Sequence, residues 1–347
     1  MWYESLLASG VIPESIIRIF LRIFYHIRFL RMTKNVEEIQ NHLNDFISKM
    51  DKQPITVSPN VANIQHYELP TQFFTLILGK YMKYSCCYWS KTPHTKDLVT
   101  NLYLAEEQML EITCKRAKVK DGDRILDLGC GWGSLSTYIK ENYKETKIVA
   151  VSNSSTQNEY IQTLIENRDL KDFKVITANI ADLELKEKFD VIISVEMFEH
   201  MRNYRSLLKK LKKFLKPNGR LFIHIFTDKN YPYFFEINSS RNWMTKYFFR
   251  GGLMPSSELP LYFQDHFSIE KVWKISGIHY THTLNAWLEK MKSNKTKIFR
   301  IFAKTYGENL MRTWWNYWKL FFISLAEVFG CKGGNQRFIS HYLFKKR

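Results

Sequence analysis

Short apolar runs alternate with helical segments along the chain from residue 124 onwards. The apolar runs are RILDLG (124–129), KIVAVSN (147–153), FKVITANI (173–180), FDVIISVEM (189–197) and RLFIHIF (220–226). Helices are expected between them, beginning near Ser134, Gln157 and Tyr204. Strands of nearly continuous apolar character that are separated by helices are typical of a parallel sheet covered on both faces. The pattern therefore predicts a doubly wound α/β sheet.

The remaining segments predict what surrounds this sheet. KPNG (216–219) is expected to form the turn into the fifth strand, because Pro217 ends the preceding helix. After that strand come an aromatic stretch that we interpret as an inserted lid (230–265), a sixth strand (267–276), a long helical region to about Gly330, and a closing edge strand, RFISHYLFKK (337–346). We therefore divide the chain into an N-terminal helical cap (1–115), an α/β core (116–228), and a third part with the lid, the long helices and the closing strands (229–347).

The composition favours a globular protein with a basic surface. Of the 347 residues, 45% are apolar, and the formal net charge is +17. A surface of this charge attracts either nucleic acid or anionic lipid headgroups. The sequence contains no aromatic-rich recognition motif and no helix-turn-helix with a basic second helix, so we expect no nucleic-acid partner.

The N-terminal segment IIRIFLRIFYHIRFLRM (16–32) is apolar enough to suggest a membrane helix, but four arginines interrupt it. A membrane span needs about 20 nearly uncharged residues. We therefore expect an amphipathic helix, which either packs over the body of the protein or lies on an anionic membrane surface. An association into homodimers is left open beside these two arrangements.

The five cysteines show neither a Cys-x-x-Cys nor a Cys/His ligand spacing; they are Cys86, Cys87, Cys114, Cys130 and Cys331. An odd number of cysteines without such spacing is typical of reduced thiols. We expect a cytoplasmic protein without a metal site.

The segment ILDLGCGWGSL (125–135) is a strand, a glycine turn and the start of a helix. Gly129 and Gly131 let the backbone turn sharply and approach a ligand with no Cβ in the way. A dinucleotide loop would read G-x-G-x-x-G, whereas this loop carries Asp127 at its mouth. A carboxylate would repel a pyrophosphate but suits the ammonium of a cofactor that contains an amino acid. The loop therefore predicts binding of S-adenosylmethionine.

Two further strand ends carry candidate contacts to that cofactor. Ser152, Asn153 and Gln157 follow the second strand, where they could form neutral hydrogen bonds to the ribose in place of the expected acidic residue. Asn179 and Ile180 close the third strand, where an amide and an apolar side chain could flank the adenine.

The fourth strand ends in SVEMFEHM (194–201), which places Glu196, Glu199 and His200 after an apolar run. Ligands bind at the carboxyl ends of the strands in open α/β sheets, so this charged cluster is expected at the active site. An amine has a pKa near ~10 and must lose a proton before it can attack, which costs roughly 4 kcal/mol at neutral pH. We predict that Glu199 and His200 accept that proton and are the catalytic residues.

The chain resembles the cyclopropane fatty acid synthase family of S-adenosylmethionine-dependent transferases. The resemblance rests on the glycine loop, on SVEMFEHM, and on NIQHYELPTQFF (63–74) with YSCCYW (84–89), YFFRGGLMPS (247–256) and HYTHTLNAWLEK (279–290). Within the family, the chain is similar to the coclaurine N-methyltransferase branch over nearly its full length, including GVIPESIIR (10–18), FEHMRNYRSLLKK (198–210), LYFQDHFSIEKVWKISG (261–277) and GGNQRFISHYLFKKR (333–347). The resemblance implies a Rossmann-like class I methyltransferase sheet with an N-terminal helical cap and an inserted helical lid.

The resemblance also implies site residues. Tyr84 and Ser85 match positions that line the cofactor in the synthases, as do Asp127, Gly129 and Gly131. In the synthases, a bicarbonate ion acts as the base and is held by positions that match Cys86, Glu199 and His224. A tyrosine on the late helix completes that site, and the register of RTWWNYWKLFF (312–322) places either Tyr317 or a phenylalanine there.

Two reactions remain open at this point. Glu196 favours methylation of an amine nitrogen in a small molecule, because several synthases have glycine at this position and the amine methyltransferases have glutamate. The alternative is transfer to an unsaturated acyl chain of a phospholipid, with bicarbonate as the base. Aromatic residues of the cap and lid either line an acceptor pocket or belong to the core; they are Trp243, Tyr247, Phe248, Trp314, Trp315 and Tyr317.

Overall fold

The structure of the protein is a computed structural model that describes residues 2–32, 35–57, 69–94, 97–236 and 243–347. The helices are α1 (Trp2–Ser9), α2 (Glu14–Arg31), α3 (Val36–Asp51), α4 (Thr71–Ile77), α5 (Leu102–Ala117), α6 (Ser134–Asn142), α7 (Ser155–Asn167), α8 (Tyr204–Phe214), α9 (Trp243–Tyr247), α10 (Gly277–Ser293), α11 (Lys295–Tyr306) and α12 (Met311–Gly330). The strands are β1 (Arg124–Leu128), β2 (Lys147–Ser152), β3 (Phe173–Thr177), β4 (Phe189–Val195), β5 (Leu215–Asp228), β6 (Tyr233–Phe234), β7 (Leu253–Met254), β8 (Phe267–Ile275) and β9 (Arg337–Lys346).

Seven of these strands form one sheet in the order β3-β2-β1-β4-β5-β9-β8. The first five are parallel, and β9 is antiparallel to both of its neighbours. The strand order reverses between β1 and β4, which is where an open α/β sheet leaves a crevice for a ligand. The predicted doubly wound, Rossmann-like sheet is confirmed.

One sequence expectation about the sheet is wrong, and a second needs a correction of its bounds. The segment 337–346 is not an edge strand, because β9 lies between β5 and β8, and eight consecutive residues of it are buried. β8 forms the edge instead. KPNG lies within the bounds of β5, which begins at Leu215, but outside its pairing with β4, because Leu215 pairs with Phe189 and the next paired residue is Arg220. Residues 216–219 have no partner on β4 and form an irregularity in the register between β4 and β5.

Helices cover both faces of the sheet and extend over its carboxyl edge. α10, α11 and α12 pack together with α4 and the inner side of α2 in a core rich in aromatic residues. The described part of the predicted lid contains the antiparallel pair of β6 and β7 and the short helix α9. Residues 63–68 of the segment NIQHYELPTQFF lie outside the described residues. The division of the chain at residues 115 and 228 stays a prediction.

The helix α2 is apolar on two faces. Ile17, Leu21, Tyr25 and Phe29 contact the core, while the outer face exposes Ile16, Ile19, Phe20, Ile23, Phe24, Ile27 and Leu30. Arg18 and Arg22 on its flank form ion pairs with Glu327 of α12. Within the ranges that the structure describes, no helix combines the length and the hydropathy that crossing a membrane requires.

Candidate functional site

The loop after β1 is a tight turn built on glycines. Gly129 and Gly131 have φ values of +80° and +55°, in the left-handed region that favours glycine. The amides of Gly129 and Cys130 both donate to the carbonyl oxygen of Val151, which holds the loop against β2. A Cβ added at Gly131 would meet open space. The loop therefore presents bare backbone at the carboxyl edge of the sheet.

Two cavities of about 100 Å³ and about 70 Å³ adjoin this loop. Gly131, Gln157 and Glu196 line both of them, so we treat the two as one cofactor cleft. All ten residues predicted to bind the cofactor line this cleft: Tyr84, Ser85 and Asp127 in the smaller cavity, Gly129, Ser152, Asn153, Asn179 and Ile180 in the larger one, and Gly131 and Gln157 in both.

Unsatisfied polar atoms in the wall of the cofactor cleft point to a polar ligand. Trp132 Nε1, Ser134 Oγ and Gln157 Nε2 are buried and have no hydrogen-bond partner among the described residues. Ser152 Oγ donates to Oε1 of Gln157 at 2.6 Å, which fixes the amide and leaves its NH₂ end unsatisfied. A buried polar group without a partner costs about 1–3 kcal/mol, so a ligand that pairs with these atoms would recover that energy.

Asp127 lies within β1 and is almost fully buried. Its Oδ2 accepts a hydrogen bond from Ser136 Oγ at 2.7 Å, and burial raises its pKa to about 6. It lines the smaller cavity beside Ser85. An ammonium group placed there would stabilise the ionised carboxylate, as the loop sequence predicts.

Glu196 follows β4 directly and has a φ of +48°. Its Oε1 accepts from the Cys86 amide at 2.9 Å and lies 3.3 Å from Nε2 of His224. Its Oε2 accepts from the Tyr280 hydroxyl at 2.6 Å. Burial raises the pKa of Glu196 above its ordinary value, and the charge of Lys83 and the hydrogen bonds offset only part of this rise. Groups from several elements thus hold one carboxylate in the wall shared by both cavities.

The two predicted catalytic residues have different environments. Glu199 is buried, lines neither cavity, and has no hydrogen-bond partner for either carboxylate oxygen among the described residues. Burial and the neighbouring charge of Glu196 raise its pKa well above the ordinary value. His200 lines the larger cavity, and burial lowers its pKa to about 4, so its imidazole is neutral at physiological pH. Of the two carboxyl groups, Glu199 therefore holds a proton more readily than Glu196.

Sequence reasoning missed two residues at this site. Tyr280, rather than Tyr317, is the tyrosine that reaches the carboxylate, because Tyr317 packs between Trp243 and Tyr247. Tyr280 belongs to HYTHTLNAWLEK, a segment that already carried the family resemblance. Lys83 is buried, lines the smaller cavity and donates to Ser85 Oγ. Its position just before YSCCYW was an available signal.

A further cavity of about 410 Å³ lies on the other side of Tyr280. Its wall contains the ring of Tyr280 and other aromatic side chains, among them Phe226, Tyr233, Phe235, Trp243 and Phe249. Of the six aromatic residues considered for a pocket, Trp243 lines this cavity, and Tyr247, Phe248, Trp314, Trp315 and Tyr317 pack in the core around it. We call this space the aromatic cavity.

The cysteines contribute no reactive thiolate to the site. All five are unpaired, and burial raises the pKa of each thiol above its ordinary value. In the part of the chain that the structure describes, no group of three or more His, Cys, Asp or Glu side chains is arranged so that it could hold a metal ion.

Comparisons with known proteins identify relatives of the whole chain. A family model described as mycolic acid cyclopropane synthetase matches residues 56–327. The chain is 35% identical to the (S)-coclaurine N-methyltransferase of Thalictrum flavum subsp. glaucum, over 98% of this chain and 94% of the relative. It is 32% identical to the cyclopropane-fatty-acyl-phospholipid synthase of Escherichia coli (strain K12), over 74% of this chain and 62% of the relative.

Among solved structures, the chain is similar to a coclaurine N-methyltransferase bound to N-methylheliamine and SAH. The TM-score is 0.93 at 33% identity, and the match covers 99% of both chains. The similarity therefore includes the N-terminal helices and the lid as well as the sheet.

Proposed function

The chain belongs to the mycolic acid cyclopropane synthetase family, and from this membership and the site we propose that it transfers the methyl group of S-adenosylmethionine to the nitrogen of a small aromatic amine. It is an S-adenosylmethionine-dependent methyltransferase. The observation that carries the proposed acceptor is the Glu196 carboxylate, which lines the cofactor cleft and is linked through Tyr280 to the aromatic cavity.

The cofactor cleft fits S-adenosylmethionine. Asp127 would pair with the amino group of the methionyl part, beside Tyr84 and Ser85. Ser152, Asn153 and Gln157 would hold the ribose, and Asn179 and Ile180 would flank the adenine. When bound, the cofactor supplies an electrophilic methyl group. Support for this arrangement comes from the unpartnered donors of Trp132, Ser134 and Gln157 in the wall of the cleft.

The aromatic cavity is the proposed site of the acceptor. It has the aromatic walls that favour a flat ring system. The relative with the TM-score of 0.93 is described as bound to N-methylheliamine, which supports an aromatic amine here as well. With the ring system in this cavity, the nitrogen would lie near the Tyr280 hydroxyl and the carboxylate it contacts.

The protein's own groups would handle the amine proton. A protonated amine has no free lone pair, and its deprotonation at neutral pH costs roughly 4 kcal/mol in water. The ionised Glu196 attracts the ammonium and then accepts its proton, while the neutral His200 orients the nitrogen from the wall of the larger cavity. Glu199 stays protonated, because two adjacent buried carboxylates do not both ionise.

This assignment moves the role of base from Glu199 and His200, where the sequence placed it, to Glu196. The exchange Glu199→Gln distinguishes the two assignments, because glutamine mimics a protonated glutamate. Activity that survives the exchange supports Glu196 as the base, and activity that disappears supports Glu199.

Bicarbonate, the base implied by the acyl-chain alternative, does not fit the site. Of the positions that would hold it, the Cys86 amide and His224 both contact the carboxylate of Glu196. The Glu196 carboxylate thus already occupies two of the hydrogen-bonding groups that a bicarbonate ion would need. No step through bicarbonate is proposed, and the amine reaction is the better supported of the two.

The outer face of α2 is proposed to contact an anionic membrane. Seven large apolar side chains of this face are between 44% and 66% exposed. The protein's net charge of +17 complements anionic headgroups, whereas a second copy on this face would bring like charges together. A location in the cytoplasm is part of the same proposal and rests on the five unpaired cysteines.

The test of the proposed function is a methyl-transfer assay with S-adenosylmethionine labelled in its methyl group. Arylalkyl amines and benzylisoquinolines are offered in parallel with vesicles of an unsaturated phospholipid. We expect label in an N-methylated amine. Label confined to the acyl chains would contradict the proposed acceptor.

A further inference from the structure

A line of buried polar side chains runs from the Glu196 carboxylate across two strands to helix α5. Nε2 of His224 lies 3.3 Å from Oε1 of Glu196. Nδ1 of His224 lies 2.9 Å from Nε2 of His341, its direct partner in the pairing of β5 and β9. Nδ1 of His341 lies 2.9 Å from a guanidinium nitrogen of Arg116 on α5. We call these four side chains the histidine chain.

The composition of the histidine chain fixes the direction of its hydrogen bonds. Arginine donates and never accepts, so Nδ1 of His341 must be the acceptor from Arg116. The proton of His341 then lies on Nε2 and is donated to Nδ1 of His224. His224 in turn carries its proton on Nε2 and donates it to Glu196. Each link points towards the carboxylate.

The surroundings of the two histidines agree with neutral rings in this arrangement. Both side chains are fully buried, and burial lowers the pKa of each well below its ordinary value. Among the described residues, no carboxylate lies within ion-pair distance of Arg116, whose guanidinium instead lies 5.0 Å from the ring centre of Trp273. The charge of Arg116 is therefore directed into the histidine chain.

We propose that Arg116 is a positioning residue for the methyl transfer: through His341 and His224, it sets a donor on Glu196 and keeps that carboxylate ionised and ready to accept the amine proton. The proposal rests on the proposed function for its catalytic consequence. The direction of the hydrogen bonds can be tested without it.

Other groups also act on Glu196, and the proposal must be separated from them. The charged and titratable groups that face this carboxylate from the packed elements are Lys83, the Cys86 amide with its thiol, Glu199, His200, His224 and Tyr280. Those that face the two histidines of the chain are Lys83 and Arg116. Replacement of Arg116 leaves every other member of these sets in place.

The same orientation prevents the histidine chain from carrying the amine proton outwards. Nε2 of His224 already holds a proton, so it cannot take one from a protonated Glu196. Outward transfer would require Nδ1 of His341 to donate towards Arg116, which has no lone pair to accept it. The chain thus sets the charge of the base, and the proton leaves from the side of the substrate.

The effect of Arg116 on the ionisation of Glu196 is tested by three exchanges that replace its guanidinium donor by another donor or by an acceptor. Arg116→Lys keeps a cationic donor, Arg116→Gln offers a donor or an acceptor, and Arg116→Glu offers an acceptor that reverses every link. The acid limb of the pH profile is the rise of kcat/KM on its acidic side, as the base loses its proton. We expect the acid limb of the lysine variant to stay near that of the wild type. It should move to higher pH by about half a unit with glutamine and by about one unit or more with glutamate.

The matched control is Arg220→Gln, which removes an arginine of β5 that pairs with Glu270 instead. Its acid limb should not move. A general loss of folding would lower kcat in all variants, but it would not shift their acid limbs to higher pH in the order lysine, glutamine, glutamate. Equal acid limbs in the three Arg116 variants would overturn the proposal.

The hydrogen-bond direction is measured by ¹⁵N NMR of histidine-labelled protein, which distinguishes Nδ1-H from Nε2-H imidazoles. His224 and His341 are assigned through His224→Phe and His341→Phe. We expect both rings in the Nε2-H form in the wild type, and His341 in the Nδ1-H form in Arg116→Glu. An Nδ1-H ring at either position in the wild type would overturn the chain, whether or not the protein methylates amines.

Discussion

At the residue scale, Glu196 combines two unfavourable features that only a function makes understandable. A φ of +48° is rare for a residue with a side chain, and strain of this kind is typical of functional sites. Its carboxylate is also buried, which costs free energy unless donors surround it. The Cys86 amide, His224 and Tyr280 supply those donors. The backbone conformation turns the side chain towards these groups.

Gly131 offers a test of the cofactor cleft. Gly131→Val should abolish binding of S-adenosylmethionine by isothermal titration calorimetry, because the added side chain would project into the open space of the cleft. The fold should survive, since no neighbouring atom lies within 4 Å of the new Cβ.

The matched control for Gly131→Val is Gly122→Val. Gly122 also has a positive φ and open space around an added Cβ, but it lies in an exposed turn away from the cleft. Both exchanges therefore carry similar backbone strain. Binding of the cofactor at wild-type affinity by Gly131→Val would contradict the proposed site.

The sequence predicted residues at strand ends better than residues that reach the site from elsewhere. All ten candidate cofactor residues lie along one cleft. Eight of them come from β1, β2, β3 or the segments directly after these strands, which share one edge of the sheet, whereas Tyr84 and Ser85 come from the family resemblance. Tyr280 comes from α10, and its approach to Glu196 depends on how that helix packs over the sheet. The pattern of hydrophobic and polar residues along the chain carries no information about where a helix crosses the sheet.

At the scale of elements, the start of α10 packs closely against two neighbouring elements. Gly277, the first residue of α10, lies against the backbone of β9 and α12. A Cβ added there would lie 2.1 Å from the carbonyl oxygen of Arg337 and 2.4 Å from that of Phe329. Only a residue without a side chain permits this approach.

Gly277→Ala should therefore destabilise the protein by about 1–3 kcal/mol, because the backbone of two elements must move apart. Urea unfolding followed by tryptophan fluorescence measures the change. Gly330→Ala is the control at the end of α12, where the nearest atom is the Thr281 hydroxyl at 3.2 Å. Equal midpoints for the two variants would show that the junction is not packed as described.

The order of the last strands illustrates what patterns of hydrophobicity leave open. The alternating pattern of the segment 337–346 predicts an edge strand, yet β9 inserts between β5 and β8. Its eight buried residues include His341 and Ser340, whose polar side chains would be expected at the surface from the sequence alone. Their partners on β5, His224 and Thr227, are distant in sequence and explain the burial.

At the scale of the whole molecule, the apolar outer face of α2 and the net charge of +17 act together. We expect the protein to sediment with vesicles of phosphatidylcholine and phosphatidylserine at low salt. Combined exchange of Ile19, Phe20 and Ile23 to glutamine should reduce the bound fraction at least about tenfold, because about 2 kcal/mol of burial is lost for each side chain.

The matched control replaces Val99, Tyr103 and Leu104, three apolar residues of similar but somewhat lower exposure, by glutamine. This variant should bind the vesicles as the wild type does. Absence of binding by the wild type would contradict the membrane contact. If light scattering showed a dimer that dissociates on the combined α2 exchange, the outer face of α2 would be assigned to contact with a second copy instead.

The proposed reaction depends most on Glu196 as the base for an amine acceptor. The decisive measurement is single-turnover methyl transfer by the wild type, Glu196→Gln and Glu199→Gln, with a saturating arylalkyl amine and with binding of S-adenosylmethionine measured beside it. We predict that Glu196→Gln loses at least about 100-fold in rate while cofactor binding stays within about threefold, and that Glu199→Gln keeps at least about a tenth of the rate. A full rate in Glu196→Gln, or its loss in Glu199→Gln alone, would contradict the account.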